Sequence, residues 1–180
     1  MRTITRTALV LAGTAALVGT MALPASAAPT DTTETTVLVD SGTIDIVTPV
    51  DATSSLITAG SSATISLPGI VVTDSRAGTA SWSASVHMTP LTGEIVDNVL
   101  APTSADYLAE AAVTSGEPAM APVASVSVLE ATDDERKVAV QTATTVVGNN
   151  TATWDATLTV VTPEQVLADT YTATLTHSVL

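Results

Sequence analysis

The chain has 180 residues and carries 18 acidic side chains against five basic ones, a net charge of −13 at neutral pH. A surface this acidic repels phosphate backbones and anionic lipid headgroups, which excludes nucleic acid as a partner. With no cysteine the fold gains nothing from disulfides, and 34 threonines, abundant valine, no phenylalanine and a single lysine favour sheet over helix.

Arg2 and Arg6 precede the apolar run Ala8–Leu23, which is followed by Pro24 and the triplet Ala25-Ser26-Ala27. A basic start, a short apolar stretch and an A-x-A site predict a secretory signal peptide over residues 1–27. The run is diluted by Gly13, Thr14, Gly19 and Thr20 and falls short of the roughly 20 residues that span a bilayer, so cleavage is expected. Cleavage leaves Arg76, Arg136 and Lys137 against all 18 acids, a mature charge of −15 on a chain the size of one domain. No apolar stretch of spanning length follows Ala27, so no transmembrane segment is expected after cleavage. The expected location is extracellular, with any attachment non-covalent.

Residues 28–36 are small, polar and threonine-rich and read as a flexible leader; the domain is expected over 37–180. Strands are then expected at Thr36–Asp40, Thr43–Val47, Ser61–Leu67 and Gly69–Asp74. The clearest is Thr79–Met88, which sets Trp82, Ala84, Val86 and Met88 on one face and Ser81, Ser83, Ser85 and His87 on the other. Such period-two alternation marks a half-buried strand. Ser104–Ala112 reads either as a short helix capped by Ser104 or as a loop feeding a strand. Val123–Leu129 reads as a strand and Asp133–Lys137 as a solvated charged turn. Strands at Lys137–Val147, Thr151–Val161 and Tyr171–Leu180 finish the chain, separated by Gly148-Asn149-Asn150 and by Pro163–Asp169. About eight strands without crossover helices predict an all-β, antiparallel β-sandwich or jelly-roll-like single domain.

Two blocks, VVTDSRAGTASWSASV (Val71–Val86) and NTATWDATLTVV…YTATLTHSV (Asn150–Val179), resemble the WxL domain of Gram-positive secreted cell-surface proteins, in a divergent, actinobacterial-like form. That family's pattern is a strand ending V-T-D-x-R-G, a W-x-L tripeptide, and a closing Y-x-x-x-L-T-W-x-L. Val72, Thr73, Asp74 and Arg76 match the first block, with Ala77 standing before Gly78. Trp82 takes the first tryptophan position and Ala84 the leucine position. Tyr171, Leu175 and Thr176 match the closing block, where His177 stands for the second tryptophan and Val179 for the second leucine. The resemblance implies a secreted protein that binds peptidoglycan non-covalently, without enzymatic activity.

Trp82, His177 and Val179 are therefore the candidate binding residues. Trp82 and Trp154 each head an alternating apolar row, for which core packing is the expectation; a sugar-stacking role requires an exposed indole face. A histidine at 177 keeps an aromatic ring in an apolar row, but its polar edge needs a partner if buried. His87 lies on a polar face and is expected to be solvated. No His/Cys cluster with ligand spacing, no D-x-[DN]-x-[DN]-G loop, no G-x-S-x-G and no S-x-x-K occurs, so no metal, cofactor or catalytic site is expected. The alternative is a structural or adhesive subunit that binds another cell-surface protein through its strand edges.

Overall fold

A computed structural model describes residues 31–121 and 124–180. The signal peptide expected over 1–27 lies outside those residues. The described residues preceding the compact unit Val39–Leu180 carry no strand and are exposed. The strand expected at Thr36–Asp40 is accordingly not formed, because no neighbour offers its backbone a ladder.

The described residues hold eleven strands and no helix: β1 (Ile44–Val47), β2 (Ser62–Asp74), β3 (Trp82–Met88), β4 (Leu91–Gly93), β5 (Val99–Leu100), β6 (Ser104–Ala109), β7 (Val113–Met120), β8 (Val126–Ser127), β9 (Val138–Val161), β10 (Tyr171–Thr172) and β11 (Leu175–Val179). Every pairing is antiparallel, as expected. In the eight-stranded sheet β2 and β3 follow one another along one edge of β9, with β1 beyond β2 and β11 beyond β3; β6 and β7 line the other edge and β8 pairs with β6, while β10-β4-β5 forms a small second sheet.

β9 organises the molecule. The expected turn at Gly148-Asn149-Asn150 is instead a bend within one 24-residue strand. Thr145 (φ 53°) and Gly148 (φ 68°) take left-handed conformations there, which bends the strand while its ladder continues on both sides. The half after the bend pairs with β2 and β6, the half before it with β3, and β7 spans the two. β2 likewise merges two expected strands. One extra residue is absorbed between Leu67 and Ile70, where Gly69 (φ 70°) donates its N–H to Asp155 Oδ1 at 2.7 Å.

Ser104–Ala109 is a strand, which removes the helical option. Ala105, Tyr107 and Ala109 are buried and the residues between them are not, the alternation of a sheet facing a core. β1 and β11, which border β2 and β3 on the edge away from β9, lie near each other, and one contiguous apolar cluster fills the interior. Trp82, Ala84, Val86 and Met88 belong to it, as do Trp154, Ala156, Leu158 and Val160.

Candidate functional site

Residues of the first resembling block meet at the bend of β9. β2 ends at Asp74, whose side chain is almost fully enclosed. Arg76 holds that carboxylate with two parallel bonds, Nε to Oδ1 at 2.9 Å and Nη2 to Oδ2 at 3.0 Å, and its backbone N–H adds a third at 3.1 Å. Hydrogen bonding from Arg76 holds the Asp74 pKa below the ordinary carboxylate value, against the opposing effect of burial. Asn150, at the bend, donates its amide to Asp74 Oδ2 (3.4 Å) and to the Gly148 carbonyl (3.2 Å). Its side-chain oxygen accepts the Trp82 indole N–H at 3.3 Å. The link from aspartate to tryptophan thus runs through an asparagine that sequence reasoning assigned to a turn.

Trp82 is 1% exposed. So enclosed an indole offers no face to a sugar ring, and the residue acts through Asn150 on the position of the bend. Above this network lies an open cleft of about 240 Å³, lined by Thr73, Asp74, Ser75, Ser115, Asn149, Asn150 and Thr151. The lining residues carry hydroxyl and amide groups and one carboxylate, although most of the surface they expose there is apolar. β7 closes in on one side through Gly116 (φ 82°), where a Cβ would lie 2.7 Å from the Asn149 carbonyl.

His177 lies elsewhere. It is half-buried on β11, opposite Val86 of β3, and its Nε2 meets the Tyr107 hydroxyl of β6 at 3.0 Å. The two rings pack edge to face with centroids 5.7 Å apart. β6 and β11 share no ladder, so this contact crosses the interior. Burial pushes the His177 pKa down to about 4 and the Tyr107 pKa up to about 12. The Trp154 N–H faces that hydroxyl and lowers its pKa against the effect of burial, yet falls outside hydrogen-bonding geometry. Val179 is half-buried beside Ala84. The three candidate residues are not brought into one site: Trp82 belongs to the network, whereas His177 and Val179 lie along β11.

His87 is only partly solvated, and its Nδ1 is buried without a partner. Asp133–Lys137 forms the expected charged turn, with Arg136 and Lys137 paired to Asp133 and Asp134. Among the described residues no group of three His, Cys, Asp or Glu side chains is placed to hold a metal. No described helix is long and apolar enough to cross a membrane. A third polar cluster gave no sequence signal: Asp169 Oδ2 accepts from the Asn98 amide (2.7 Å) and the Ile95 N–H (3.1 Å), and so clamps the β4–β5 hairpin.

Fold and site together define an all-β, antiparallel protein with a part-buried ion-pair network beneath an open cleft. No family model, curated protein or solved structure matches the chain.

Proposed function

We infer that the chain is a secreted, non-enzymatic protein of the cell envelope that associates non-covalently with wall glycan. One observation carries this reading. Asp74, Arg76 and Trp82, the residues of the resembling motif, converge with Asn150 under a cleft of hydroxyl and amide groups. Sugar hydroxyls are matched by such a lining, because each can donate and accept in turn. The acidic surface limits how binding works. Gram-positive walls are polyanionic and repel a chain of this charge over about a Debye length, roughly 8 Å in physiological salt. Recognition therefore rests on short-range hydrogen bonds in the cleft, with Trp82 as a positioning residue.

Co-sedimentation of the purified protein with peptidoglycan sacculi tests this. The wild type is expected to pellet with sacculi. Ser115→Leu, which fills the cleft from an exposed position on β7, is expected to weaken pelleting by about tenfold or more. A folded wild type that stays in the supernatant, with and without calcium, refutes wall association.

A further inference from the structure

The contact between His177 and Tyr107 joins two strands that are held to very different degrees. Tyr107 is fully buried on β6, which is bonded to β9 on one side and to β8 on the other. β11 has one ladder partner, β3, and its other inward side chains, Leu175 and Val179, are only partly buried against the core. Five residues on a single ladder, with little apolar burial, make a unit of low local stability. When the two rings part, β11 is therefore the side that moves.

The chemistry between the rings favours the neutral imidazole. With its proton on Nδ1, His177 accepts the Tyr107 hydroxyl hydrogen at Nε2 across 3.0 Å. A charged ring carries N–H on both nitrogens. Its Nε2 would then donate to the oxygen that the Trp154 N–H also faces, and the hydroxyl hydrogen would lose its acceptor. No carboxylate compensates, because Tyr107 is the titratable side chain that faces the ring. On β3 the inward neighbours are Ala84, Val86 and Met88, with His87 on the opposite face. On β1 Ile44 and Ile46 point inward and Asp45 outward, and Asp106 and Asp155 alternate away from the interior beside Tyr107 and Trp154. Burial alone lowers the His177 pKa.

The base of β11 is pinned. The Thr174 carbonyl accepts the Thr89 N–H at 2.9 Å, and the Thr174 N–H donates to Thr89 Oγ1 at 2.8 Å. Further on, Leu180 and Ser83 exchange backbone bonds at 2.8 and 3.1 Å, so by antiparallel alternation Thr176 and Ser178 also turn toward β3. We propose that β11 is an acid-released strap: protonation of His177 parts it from Tyr107, and residues 175–180 swing away about Thr174 before the rest of the sheet opens. Release uncovers the backbone groups of Ser83, Ser85 and His87 and leaves that edge of β3 open to another strand. With a pKa of about 4 in place and 6.5 when free, the constant for this opening rises about 30-fold between pH 8 and pH 5.

The test is amide hydrogen exchange followed by NMR on the full chain at pH 8 and pH 5, corrected for the intrinsic rate at each pH, with and without dilute urea. Protection at Thr176, Ser178, Leu180 and Ser83 is expected to fall by about 30-fold from pH 8 to pH 5. At both pH values it should stay below that of the β6–β9 amides and ignore dilute urea, the mark of a local opening. His177→Phe is expected to abolish the pH response of the β11 amides, and His87→Ala, which removes the other histidine, to leave it intact. Wild-type β11 amides that hold their protection at pH 5, or that match the β6–β9 amides in protection and urea dependence, overturn the proposal. So does a folded His177→Phe variant that keeps the response, or a folded His87→Ala variant that loses it. The first two outcomes need only the wild type, so the proposal stays exposed to refutation even where a variant does not fold.

Discussion

Lowering the pH should loosen the interior at one identifiable place. His177 has a folded pKa of about 4 against 6.5 when free, so between these values the unfolded chain binds a proton that the folded chain refuses. The stability this refusal supports is intact above pH 7, declines as pH falls below 6.5, and is lost by pH 4. Integrating the linkage from pH 8 to pH 5 gives a loss of about 2 kcal/mol, rising to roughly 3 kcal/mol below pH 4. These are upper figures, since part of the imidazole edge touches water. Urea unfolding at each pH, compared between wild type and His177→Phe, isolates the contribution. All other titrating groups, including Asp74 with its lowered pKa, are common to both chains. The wild type should lose about 1–2 kcal/mol more than the variant between pH 8 and pH 5. Parallel curves for the two would refute the reasoning, because they would mean that the imidazole charges in place without cost.

Other expectations concern the network and the bends. Arg76→Met leaves the Asp74 carboxylate enclosed without its cation and should cost about 3–5 kcal/mol by chemical denaturation. Ala77 adopts φ 55° where the resembling pattern carries glycine, so Ala77→Gly should stabilise the protein by about 0.5–1 kcal/mol, read as an upward shift in Tm. Gly116→Ala drives a Cβ against the Asn149 carbonyl, whereas Gly148→Ala meets open space. Both incur left-handed strain, and the first should destabilise by about 1–2 kcal/mol more than the second. Asp169→Ala should speed amide hydrogen exchange at Ile95 and its neighbours in the β4–β5 hairpin while leaving the global unfolding midpoint in place.

Much of the fold was legible because alternation is a local signal. The rows headed by Trp82 and Trp154 are buried as their period-two spacing required, and the same spacing at Ala105, Tyr107 and Ala109 outweighs the capping serine that suggested a helix. What escaped depends on long-range partners. Gly148-Asn149-Asn150 has the composition of a turn, yet a bend inside a strand needs the same backbone freedom, and only the neighbours β2, β3 and β7 decide between them. β7 is exposed on both faces over most of its length and shows no alternation to read. Thr36–Asp40 has strand character in sequence and no partner in the structure. At the site, Trp82 was legible as a core residue, but its connection to Asp74 through Asn150 spans 68 and 76 residues, beyond the reach of spacing arguments.

The place of β9 near the end of the chain governs the order of events during synthesis. β2, β3, β6 and β7 are all made before residues 138–161, and each takes β9 as a neighbour. Until that segment arrives, the earlier strands lack the template that aligns them, and sheet formation waits on contacts of long sequence separation, which form slowly. A chain so arranged has most of its length made before residues 138–161 supply the strand on which the others align.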